Sequence, residues 1–122
     1  MKESRGWFLF MIAGLLLFVL LGAHLIGMHL SSLFGISYEK TLSFSHVAER
    51  SANVAFTIFY LILLALALFH GSYGVRAILL ELPWSQGRER IITWIVAGIG
   101  LLFFGYGVWA ALAALGQKGV FV

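Results

Sequence analysis

Five ionisable side chains stand inside or at the edge of strongly apolar sequence: His24 and His29 in one run, and His70, Arg76 and Glu81 at the end of another. Such groups are costly in a membrane and usually face a protein interior, a partner or a cofactor. His70 opens the stretch HGSYGVRAILLE. On a helix, offsets of four, seven and eleven return to one face, so His70, Gly74, Ala77 and Glu81 form a stripe. A glycine one turn from an imidazole leaves room for a flat macrocycle, and neutral imidazole is a good axial donor to haem iron. The same pair also suits an interhelical hydrogen bond with the glycine serving helix packing, the commoner use of such a pair. Arg76 lies off the stripe, where its guanidinium suits a haem propionate or a quinone carbonyl, or snorkels to headgroups. His24 and His29 are five residues apart and point about 140° away from each other. His24 shares a face with Met28 and lies deeper; His29 sits near the outer interface in a partly solvated setting. His46 falls in a loop and reads as solvent-exposed.

The elements that must position these residues follow from composition. The chain has 122 residues, 61% of them hydrophobic and 11% charged, and its mean hydropathy is +1.00. A soluble domain of this size needs a polar exterior that so few charges cannot supply. A transmembrane helix needs about 20 mostly apolar residues, and three runs meet that, at about 7–30, 53–80 and 91–115. The expected fold is an all-α membrane protein of three transmembrane helices forming a single domain over residues 1–122. Three strands could not close a barrel, and open strand edges are not tolerated in lipid. The first run is too long for a signal peptide and lacks a small-residue cleavage pattern after it. Residues 31–50 and 82–90 are the expected connections, the second half of the former being a candidate surface helix.

The absence of cysteine removes disulfides, thiolate chemistry and iron–sulfur ligation by this chain. A net charge of +3 reflects orientation charges at span ends rather than nucleic-acid binding. Lys2, Arg5, Arg76, Arg88 and Arg90 fall on the side of the N-terminus, and Lys40, Arg50 and Lys118 on the other. That bias places the N-terminus in the cytoplasm. With no transit-like leader, a bacterial or archaeal plasma membrane is the expected location.

Depth separates the two deeper histidines. His24 comes about 17 residues, roughly 25 Å, into the first span from the cytoplasmic side, whereas His70 precedes the cytoplasmic end of the second by roughly 9–17 Å. They differ by about 10 Å or more in depth, too far to be trans ligands of one iron. If both bind haem, they bind different haems. The third span holds no histidine, so each second imidazole must come from a partner subunit.

HGSYGVRAILLE resembles the His-x-x-x-Gly-x-Arg signature, with an acidic residue eleven after the histidine, of the membrane anchors of succinate:quinone oxidoreductases. GAHLIGMH in the first span is similar to the Gly-His-Leu-x-x-Met-His segment of the smaller, SdhD-type anchor. The two motifs in order, with three spans, cover nearly the whole chain. The resemblance implies a helical bundle completed by a second, SdhC-type anchor, with a flavoprotein and an iron–sulfur subunit docked on it. It implies that His70 ligates a haem b near the cytoplasmic side and His24 a second haem nearer the outer face, each shared with the partner anchor. Gly74, Arg76 and His29 join them as cofactor-binding candidates, and Ser72, Tyr73 and Glu81 as quinone or proton-path candidates. The chain would help pass electrons to or from quinone without oxidising succinate itself. Two departures stand out. Many relatives carry an arginine near the start of the first span, where this chain reads FMIAG, and a tyrosine after the acidic residue, where it has Leu82. The quinone site would then rest largely on partner chains.

Two other readings compete. One is the haem b anchor of another respiratory complex, such as a hydrogenase or formate dehydrogenase, although those carry more histidines and spans. The other is a cofactor-free structural subunit whose histidines serve packing. A transporter fits less well, because no charged row lines a path.

Overall fold

The computed structural model describes residues 2–35 and 37–116; Lys118, counted above toward the outer side, lies outside the described residues. Those residues are almost wholly helical, with no strand among them. Three long helices, α1 (Lys2–His29), α4 (Val54–Leu80) and α5 (Glu89–Gly116), are long and apolar enough to cross a membrane. At 1.5 Å per residue each runs about 40 Å, more than the roughly 30 Å hydrocarbon core. Two short helices, α2 (Tyr38–Leu42) and α3 (Phe44–Ser51), form the first connection. The expected surface helix is therefore present, and His46 lies on it, half-buried and 3.9 Å from Glu49, rather than in an open loop.

Capping chemistry explains where the elements begin and stop. Gly35 takes φ +78°, which an L side chain adopts only with strain, and lets the chain reverse after α1. Ser37 caps α2 by accepting from the Lys40 N–H at 3.3 Å, and Asn53 caps α4 by accepting from the Ala55 N–H at 2.9 Å. Thr57, one turn into α4 and buried, donates back to the Asn53 carbonyl at 3.0 Å. At the other end, the buried Ser85 hydroxyl lies 2.8 Å from the Leu80 carbonyl and 2.7 Å from that of Leu82. It serves the Leu80 carbonyl, which the end of α4 leaves without an intrahelical partner. Pro83 begins the turn that follows.

α4 lies between α1 and α5 and packs on both, while among the described residues α1 and α5 share no comparable interface. The three spans thus make a layer rather than a closed bundle. Among the described residues Ala13 and Ile92 are the buried apolar ones, and large side chains such as Phe18, Leu102 and Trp94 are more than two-thirds exposed. In water this exterior would be untenable; in lipid it is the expected surface.

Candidate functional site

The α1–α4 interface carries both deep histidines, at opposite ends. His70, on α4, lays its ring parallel to Phe10 of α1, with centroids 4.2 Å apart and planes within 6°. Its Nδ1 lies 3.1 Å from the Phe10 carbonyl oxygen. A carbonyl can only accept, so Nδ1 carries the proton and the lone pair of the neutral ring is on Nε2. Gly14 makes this approach possible: a Cβ there would fall 2.8 Å from His70 Cε1. Nε2 is 3.8 Å from the same point and has no hydrogen-bond partner among the described residues.

Gly74 is one turn from His70, as its spacing requires, and faces α1. The Phe10 ring lies 3.6 Å from where a Gly74 Cβ would stand. The glycine brings an aromatic side chain of α1 into ordinary contact with α4 beside His70. A bulky ring at position 10 could not be foreseen from periodicity on α4 alone.

His24, on α1, meets the edge of Tyr60 on α4, with centroids 5.7 Å apart and planes at 86°. It lines a cleft of about 420 Å³ with Gly27, Met28, Arg50, Phe59 and Tyr60. The contacts fix the depth difference. His70 sits level with Phe10 and His24 with Tyr60, so the histidines are separated by ten residues along α4 and fourteen along α1. That is roughly 15–21 Å along the axis, and no single iron can join them.

Arg76 faces the other way. Its Nε donates to Thr93 Oγ1 on α5 at 2.8 Å, and Thr93 in turn donates to the Glu89 carbonyl at 2.7 Å. Arg76, Ser72, Tyr73 and Thr93 share a second cavity, about 570 Å³, walled mainly by apolar residues of α4 and α5. Ser72 fits there because a Cβ on Gly100 would lie 2.9 Å from its hydroxyl. Tyr73 bridges both sides of α4, stacking on Phe10 at 5.2 Å while also lining this cavity. The structure thus groups Ser72, Tyr73 and Arg76, and separates Arg76 from both histidines. Glu81 is exposed at the C-cap of α4, and His29 is exposed at the last position of α1.

Over 107 residues the chain is 31% identical to the succinate dehydrogenase hydrophobic membrane anchor subunit of Archaeoglobus fulgidus, spanning 88% of this chain and 86% of that protein. The chain belongs to the succinate dehydrogenase membrane anchor family. No protein-family model and no solved structure matches it. Among the described residues of this anchor, no group of three or more histidine, cysteine or acidic side chains could enclose a metal ion by itself. The site candidates that spacing did not single out are Phe10, Gly14, Tyr60 and Thr93, each supplied by a neighbouring helix. Gly14 alone left a sequence signal, as a glycine inside an apolar helix.

Proposed function

We propose that this anchor subunit binds haem b through His70 and His24, each iron completed by a histidine of a second anchor chain. It would hold a flavoprotein and an iron–sulfur subunit at the cytoplasmic face of the membrane and contribute to quinone contact. The observation that carries the reading is the state of His70: a hydrogen bond to the Phe10 carbonyl fixes the ring and leaves Nε2 as a free donor. Metal-binding histidines are commonly oriented in this way by the nitrogen that does not bind. His24 fits as a second donor because it stands in an otherwise largely apolar cleft with neither ring nitrogen hydrogen-bonded among the described residues. Haem, when bound, supplies one-electron redox chemistry at a potential set by its ligands and their surroundings.

This chain's own residues do the positioning. Gly14 and Phe10 hold the His70 ring, and Tyr60 supports that of His24. Arg76, steadied by Thr93, places a positive N–H fork at the end of an apolar cavity, a setting suited to a quinone carbonyl. Ser72 and Tyr73 add hydroxyls on the same cavity, and Glu81, exposed at the end of α4, is placed to exchange protons with water.

The test is haem content and spectrum in the purified complex. Two haems per assembly with a low-spin, bis-imidazole b-type signature are expected. A complex that is fully active with quinone and holds no haem rejects the reading. A cofactor-free structural role is favoured by one feature, the close stacking of His70 on Phe10, and it predicts that haem-free result.

A further inference from the structure

The positive charge in the His24 cleft comes from Arg50. It reaches in from α3, half-buried, with Nη2 donating to the Thr41 carbonyl at 2.9 Å. A guanidinium has five N–H donors in a planar fork, so this one bond leaves most of the fork free to take an anion. Apart from His24 and Tyr60, the rest of the wall is apolar, including Gly27, Met28, Phe56 and Phe59. Arg50 enters from α3, before α4 begins at Val54, whereas Tyr60, which touches His24, lies six residues into α4, about 9 Å along that helix. The cleft therefore brings an imidazole, a guanidinium from α3 and an apolar wall together.

We propose that Arg50 pairs with a propionate of the haem ligated by His24, and so fixes that haem with its carboxylate edge toward the outer surface. The inference rests on the haem reading of His24. It also reassigns a role: Arg76, the guanidinium that sequence spacing offers to a propionate, is turned toward α5 and bonded to Thr93. A quinone would use the apolar wall but give the guanidinium no counter-ion. A phospholipid phosphate would pair with the guanidinium but leave the imidazole unused. Haem carries both complementary groups at opposite ends of one flat apolar body.

The experiment compares Arg50→Gln, Arg50→Lys and His24→Ala with the unaltered protein in the purified complex. The readouts are the rate at which haem passes to an excess of apomyoglobin and the midpoint potential of the outer-side haem. Loss of a charge-assisted pair of this kind predicts about tenfold faster haem loss in Arg50→Gln. Its midpoint potential should fall and become pH-dependent near neutrality, because an unpaired propionate titrates with the iron's oxidation state. Arg50→Lys should restore most of both properties. Should Arg50→Gln not assemble, redox-difference infrared spectra of the unaltered complex carrying haem labelled with 13C at the propionates decide the matter. The proposal expects one propionate to stay ionised into the acid range; propionates that both titrate as free carboxylic acids overturn it. Haem loss and potential unchanged in Arg50→Gln, with the outer haem absent in His24→Ala, overturn the Arg50 role and leave the haem reading intact. Both haems retained in His24→Ala overturn the two together.

Discussion

A histidine ring can offer a metal only the nitrogen that a hydrogen bond has not already engaged, and at His70 that leaves Nε2. If His70 is a haem ligand, His70→Ala is expected to remove one b-type haem from the complex, while succinate oxidation with a soluble dye as acceptor is unchanged. Unchanged b-type absorbance in that variant would show that His70 is not the ligand. The residue beneath the ring gives a finer test. Gly14→Val puts branched carbon where even a Cβ would lie 2.8 Å from His70 Cε1, an overpacking that typically costs about 1–3 kcal/mol. The ring must move, and the expected result is loss or spectral perturbation of the same haem with the His24 haem preserved, as read by low-temperature electron paramagnetic resonance. HGSYGVRAILLE made His70 legible from its own neighbours. Its partners Phe10 and Gly14 were not, since they lie sixty and fifty-six residues away in sequence and reach it only by helix packing.

At the level of whole helices, α4 acts as a divider. One face turns His70 and Gly74 to α1, and another turns Ser72 and Arg76 to α5, with Tyr73 between them. Periodicity along α4 already separated Arg76 from the histidine stripe, because six residues at 100° each leave the two side chains on different faces. It could not say which neighbour each face would meet. Thr93 on α5 supplies that answer for Arg76. Thr93→Val keeps the side-chain volume but removes the acceptor 2.8 Å from Arg76 Nε, and a hydrogen bond to a charged group is worth roughly 1.5–3 kcal/mol. If the α4–α5 cavity takes quinone, this variant should raise the KM for quinone several-fold with dye-linked succinate oxidation unchanged. An unaltered KM would place the quinone site elsewhere, on partner chains.

For the whole molecule, the layered arrangement sets the terms of stability and of cofactor binding together. Among the described residues few are buried, and His24 and His70 stand at different levels, so these two imidazoles cannot serve one iron. Produced without its partners and extracted in detergent, the anchor should keep its helical circular dichroism yet show no bis-imidazole low-spin haem signal. Such a signal from the isolated chain would mean that two copies supply the ligands to each other. The sequence by itself determined that three helices cross a membrane, because apolar length and the need to satisfy every backbone group in lipid leave no other choice. It also determined that His24 and His70 stand at different depths, since rise per residue is a property of the helix itself. Only the tertiary structure decided that Phe10 packs beside Gly74, that Nδ1 of His70 is the engaged nitrogen, and that Arg50 rather than Arg76 shares a cleft with a histidine. Those facts depend on how one helix is rotated and shifted against the next, and side-chain packing between distant segments fixes that rotation.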